Sequence, residues 1–118
     1  MIEATILDYL AEKLDVPVFL EIPETPSEEY EKIPDEFVLI QRVGGTKRNM
    51  IMTSSFAFQS YAQRLSRAIK IDMAVRDAMD VITMRPDIQA SHMASNYNFT
   101  DTTLKRYRYQ CTYDITHS

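Results

Sequence analysis

The side chains whose types could do chemistry are few, and their spacing brings none of them into a working set. Glu28 and Glu29 are adjacent carboxylates, the raw material of acid–base catalysis, but they fall in a stretch with three prolines and almost no apolar residues. A carboxyl there has no apolar pocket to raise its pKa, so general-acid work is not expected of it. Ser54 and Ser55 lie inside a strand-like pattern, without the tight turn that lifts a nucleophilic serine clear of its sheet. Gly44 and Gly45, the two glycines of the chain, lack the spaced glycines and following helix of a phosphate-cradling loop. His92 and His117 are too far apart to read as a metal-ligand pair. The single Cys111 excludes an internal disulfide framework and a cysteine-based zinc site. No catalytic, cofactor-binding or metal-binding residues are expected, and the chain does not read as an enzyme.

Charge and aromatic spacing say more. From Lys105 to Thr116 the sequence alternates strictly, with Lys105, Tyr107, Tyr109, Cys111, Tyr113 and Ile115 on one side. Arg106, Arg108, Gln110, Thr112, Asp114 and Thr116 fall on the other. This is the period of a half-buried strand, long enough to be the spine of a sheet. Together with Arg42, Lys47 and Arg48 it suggests a basic, aromatic nucleic-acid surface. Alternation opposes that reading, because it sends the tyrosines under the core and leaves Arg106 and Arg108 on the opposite face. The net charge of -4 opposes it too, since affinity for polyanions comes mainly from phosphate neutralisation.

Residues 1–36 hold eleven acids against two bases, and residues 37–118 hold eleven bases against six acids. Two solvated faces of a monomer would produce this. So would an acidic surface of one copy meeting a basic surface of the next, as a head-to-tail ring requires.

The elements that position these residues follow from periodicity. A length of 118 residues suits one domain with one core. Ile6, Leu7, Leu10 and Leu14 predict a helix over residues 2–14, stopped at Asp15-Val16-Pro17. Val16–Ile22 reads as a strand. Residues 23–36, PETPSEEYEKIPDE, read as an acidic arm outside the core, with Tyr30 and Ile33 its only anchors. Phe37–Val43 predicts an interior strand, Gly44-Gly45-Thr46 a tight hairpin turn, and Ile51–Gln59 the returning strand. Tyr61–Ile82 keeps an apolar stripe for a second helix, with Ser60 as its cap and Asp72, Asp77 and Asp80 on its outer side. Ile88–Asn96 is a weaker strand, and a turn near Phe99–Thr103 leads into the tyrosine strand. The order α-β-β-β-α-β-β predicts an α+β, two-layer sandwich: a mainly antiparallel sheet of four to five strands with both helices on one face. The other sheet face is expected to be uncovered. The amino-terminal residues lack the pattern of a secretory signal, and no apolar run suits a membrane span, so an intracellular protein or one assembled inside a cell is expected.

Four stretches carry a family resemblance: MIEATILDYLAEKLDVPVFLEIP, the arm PETPSEEY, FVLIQRVGG, and YNFTDTTLKRYRYQCTYDI. The chain resembles the small head–tail connection proteins of long-tailed phages and prophages of Gram-positive bacteria, most closely the tail terminators. The resemblance implies a structural virion protein without cofactor. Its copies would form a hexameric ring on the last tail-tube ring, stop tube elongation and present the surface that the filled head binds. It implies as partners the chain itself, the tail-tube protein and a head-completion protein, with DNA passing through the lumen without specific binding and no membrane. The setting would be the virion head–tail interface, and the host cytoplasm during assembly. Head-completion adaptors, mainly helical, and stoppers, mainly β, are the alternative; the balanced α+β pattern favours the terminator. A small nucleic-acid-binding protein is the remaining alternative. In a ring, Glu28, Glu29 and Glu31 of one subunit are expected near Arg42, Lys47 or Arg48 of the next or of the tail tube. Arg106 and Arg108 are expected to line a subunit contact or the lumen.

Overall fold

The computed structural model describes residues 1–22, 34–100 and 106–118. Most of the acidic arm, with Glu28, Glu29, Tyr30, Glu31 and Ile33, and also Lys105, lies outside the described residues. The elements are α1 (Ile2–Lys13), β1 (Val18–Phe19), β2 (Phe37–Arg48), β3 (Ile51–Ala62), α2 (Leu65–Asp80), a short 3-10 turn (Ile82–Met84), β4 (Ile88–Asn98) and β5 (Tyr107–His117). They form one five-stranded sheet in the order β1-β2-β3-β5-β4. Only the β1–β2 pairing is parallel. The expected α+β sandwich is the architecture found, and β5 is an interior strand between β3 and β4. Among the described residues no helix is long and apolar enough to cross a membrane.

Alternation along the strands builds the core. Val38, Ile40, Phe56, Phe58, Cys111, Tyr113 and Ile115 project from one sheet face and meet Ile6 and Leu10 of α1 and Ala68, Ile71, Val75 and Met79 of α2 in one buried cluster. The Tyr9 hydroxyl donates to the Ala78 carbonyl at 2.7 Å and ties the two helices together. The Tyr113 hydroxyl, beneath α2, donates to Asp80 Oδ1 at 2.7 Å. Burial, and then the Asp80 carboxylate, push that phenol far above the ordinary tyrosine range. Tyr109 packs at the margin of the cluster, while Tyr107 at the strand end is exposed.

Four boundaries differ from expectation. The hairpin does not turn at Gly44-Gly45-Thr46, because β2 runs on to Arg48 and the turn falls at Asn49-Met50, both with positive φ (51° and 68°). The glycines serve a bulge instead, where the β2–β3 register shifts between Arg42 and Gly44. A Cβ on Gly45 would lie 3.1 Å from both Arg42 Nη2 and the Thr53 carbonyl oxygen, so a small residue is needed there. The second helix begins at Leu65, not Tyr61, since Tyr61 and Ala62 still pair with β2 and β5, and the Tyr61 ring stacks on Phe37 at 4.6 Å. Ser60 is consequently no helix cap; it is buried in β3, and its Oγ has no hydrogen-bond partner. The strand expected over Val16–Ile22 shrinks to two residues, Val18 and Phe19, in register with Val38 and Leu39 of β2, and the Val38 N–H donates to the Pro17 carbonyl just before them.

Met50 in the left-handed region costs what glycine would not. Met50→Gly is expected to raise unfolding stability by about 0.5–1 kcal/mol. Urea unfolding checks this, and a destabilised variant would contradict the reading of the turn.

Candidate assembly surface

Side chains at matched positions on the strands form rows across the sheet face opposite the helices. Among the described residues no helix covers this face. The first row is Phe37, Tyr61 and Arg108, and the next is Leu39, Gln59, Gln110 and Tyr97. Beyond them come Gln41, Ala57, Thr112 and Ser95, then Gly44, Ser55, Asp114 and His92, then Thr46, Thr53, Thr116 and Ala90.

Side-chain hydrogen bonds run along these rows and between them. Gln59 Nε2 donates to Gln110 Oε1 at 2.8 Å, Gln110 Nε2 donates to the Tyr97 hydroxyl at 2.6 Å, and the Tyr61 hydroxyl donates to Gln59 Oε1 at 3.1 Å. Both glutamines are thereby buried without any covering layer, at 7% and 6% exposure. Ser55 donates to Asp114 at 2.6 Å, and the Ser95 and Thr112 hydroxyls share a bond of 2.5 Å. Such a network holds its side chains in fixed positions, giving a surface already ordered before any partner arrives.

One corner is aromatic and cationic. Phe19, Phe37, Leu39 and Tyr61 form a second buried cluster on this face. The Arg106 guanidinium lies 5.6 Å from the Phe37 ring centroid. That of Arg108 lies 4.2 Å from Phe99 and 5.7 Å from Tyr61. Arg108 also donates to the Phe99 carbonyl at 2.9 Å and to the Tyr61 hydroxyl at 3.1 Å. Arg108 is therefore committed to partners within the chain.

The other expected contact residues lie elsewhere. Arg42 is on the helix side of the sheet, opposite Phe56, where Nη1 lies 3.8 Å from Glu3 of α1. Lys47 and Arg48 are exposed at the far end of β2, beside the hairpin turn, and among the described residues they have no hydrogen-bond or ion-pair partner. The expected basic residues thus divide among three places. Near the opposite end of β2, Arg67 grips Glu36 at 2.8 and 2.9 Å, which holds that carboxyl below the usual carboxylate range.

Sequence reasoning missed two buried polar groups. Asp72, expected on the outer side of α2, is wholly buried. Asn96 Nδ2 donates to both its oxygens, at 2.9 and 3.1 Å, and Arg76 Nε donates at 3.0 Å. The signal was present, since Asp72 continues the helical spacing of Ala68 and lies one step from Val75 and Met79 on the apolar stripe. Beside it Cys111 is buried, its thiol pushed far up by burial and by the Asp72 charge, as suits an inert thiol. The second group is Ser54 with His117 Nε2, sharing a bond of 2.9 Å. Ser54 is fully buried, so its Oγ is not presented to a substrate. The pair locks the end of β3 to the end of β5.

Burial is the largest influence on Asp72 and raises its carboxyl above the ordinary range, with Asn96 and Arg76 opposing. A raised folded pKa means the folded state takes up the proton more readily, so this group adds stability as pH falls through the folded pKa. The gain is complete below the unfolded value, about 3.9. The stability of the unmodified chain minus that of Asp72→Asn is therefore expected to grow on acidification from neutral pH. Paired urea titrations check it, and a difference that shrinks over that range would contradict the raised pKa.

Compared with known proteins, the chain matches no family model and no curated sequence.

Proposed function

We propose that the chain is a structural subunit of a phage tail, a tail terminator whose copies close into a hexameric ring on the end of the tail tube and offer the head its joining surface. The observation that carries this reading is the sheet face without a helix, whose polar rows are hydrogen-bonded among themselves. A subunit that must dock repeatedly gains from having its side chains already placed. Lys47 and Arg48, exposed at one end of β2 and without a partner among the described residues, against an amino-terminal third rich in acids, supply the asymmetry a head-to-tail ring needs. The even mix of helix and sheet favours a terminator over a mainly helical adaptor or a mainly β stopper. The role is structural and uses no cofactor; it belongs to the virion head–tail interface, with assembly in the host cytoplasm.

The test is phage production without the chain. Overlong tails detached from heads are expected. Normal tails with heads that leak DNA would transfer the chain to the stopper class.

A second reading, a small nucleic-acid-binding protein, draws on one observation. Tyr97 and Phe99, each about two-fifths exposed, have ring centroids 5.6 Å apart, and the Arg108 guanidinium lies over Phe99. It requires a single-stranded oligonucleotide to shift the free chain, with Phe99→Ala abolishing the shift. A chain that binds no oligonucleotide at low salt removes it.

A further inference from the structure

We propose that copies join edge to edge: the outer edge of β4 in one copy pairs antiparallel with the outer edge of β2, residues 40–48, in the next. The inference rests on the ring reading and names the contact that builds the ring.

Both ends of the sheet are unusually open. On one side β1 pairs only with Val38 and Leu39, so among the described residues no strand is paired with the outer side of β2 from Ile40 to Arg48. A cleft of about 510 Å³ lies beside this stretch, lined by Leu20, Glu21, Gln41, Arg42 and Val43 among others. On the other side β4 is, among the described residues, an edge along its whole length, and none of its residues, IQASHMASNYN, is Asp, Glu, Lys, Arg or Pro. Edge strands of monomers are normally kept short or guarded by charge or proline, because their bare N–H and C=O groups recruit other strands. Here an eleven-residue edge carries neither charge nor proline and is interrupted only by the register shifts at Gln89 and Ala94.

Topology decides the pairing. β2 and β3 are antiparallel, β3 and β5 are antiparallel, and β5 and β4 are antiparallel, so β2 and β4 run in opposite directions within one copy. Cyclic symmetry about an axis along the strands keeps every copy in the same sense. It therefore brings β4 of one copy against β2 of the next as an antiparallel pair, continuing the pattern already inside the sheet. Charge disfavours the symmetric contact between two β2 edges, which would place the cationic Arg42, Lys47 and Arg48 of both copies along one seam. A β4–β4 contact stops at two copies and leaves β2 bare. The extra residues at Val43, Gln89 and Ala94 bend both edge strands, as a sheet that closes on itself must bend.

Thr46→Cys and His92→Cys place one exposed thiol on each edge, and the native Cys111 is buried. With a short bis-maleimide the double variant is expected to give a ladder of linked copies up to the size of the ring. A mixture of the two single variants is expected to give dimers only. His92→Cys alone linking as well as the double variant would establish the β4–β4 contact and overturn the proposal. So would a ring by native mass with no links in the double variant. Ala94→Lys, at an exposed position outside the β4–β5 register, is expected to leave the unfolding midpoint unchanged and to abolish the ring; an intact Ala94→Lys ring also overturns it. If the unmodified chain stays a single copy even with tail tubes present, the ring reading fails first and the edge pairing with it.

Discussion

Tyr113→Ala is expected to lower unfolding stability by about 3–5 kcal/mol, the range for emptying a large aromatic site in a packed core. Tyr113 is among the largest fully buried side chains. It stands in the middle of β5 with its ring edge-on to Phe58 at 6.1 Å. Its hydroxyl reaches Asp80 at 2.7 Å and the Arg76 carbonyl at 3.3 Å, so it fastens the centre of the sheet to α2. Removing the ring leaves a void between sheet and helix that α2 closes only by shifting along its whole length. Tyr113→Phe keeps the ring and removes the bond, and is expected to cost about 1 kcal/mol. Domains of this kind hold about 5–15 kcal/mol in total, so the alanine variant should unfold at much lower urea while the phenylalanine variant stays close to the unmodified chain. Equal losses for the two would contradict the packing role.

Lys47→Glu combined with Arg48→Glu is expected to weaken ring formation at low salt while leaving the fold intact. Both residues are exposed at the end of β2 without a partner among the described residues, and surface changes of that kind usually move stability by less than about 0.5 kcal/mol. Their effect must therefore come from contacts between copies or with the tail tube. Charges at a contact rim act chiefly through the rate of association. The defect should shrink as salt rises, because the screening length falls from about 10 Å at 0.1 M to about 3 Å at 1 M. Sedimentation at two salt concentrations checks this. An unchanged mass at low salt removes Lys47 and Arg48 from the contact.

How much of this was legible in the sequence depended on whether a residue's role is set by its own strand or by a neighbour. Alternation from Tyr107 to Ile115 was readable because one strand's period decides it, and Cys111, Tyr113 and Ile115 lie where the period puts them. Gly44-Gly45 was misread as a turn because a glycine pair has the same composition in a turn and in a bulge; only the register with β3 separates them. Tyr61 was drawn into the helix because its apolar stripe continues there, yet pairing with Phe37 on a distant strand outweighs that local preference. The Gln59–Gln110 bond joins residues that sequence leaves far apart, and nothing in either local stretch announces it. The candidate surface was legible as an uncovered face, from the helix count, but its division into an aromatic corner, a glutamine row and a distant basic tip was not. That division depends on which strands are neighbours, and strand order is a property of the whole chain.

If the chain works as a ring on the tail tube, electron microscopy of purified tails mixed with the chain is expected to show one ring of six copies at the head-proximal end of each tube. Tube ends left bare at saturating chain, with every copy remaining single in solution, would contradict it.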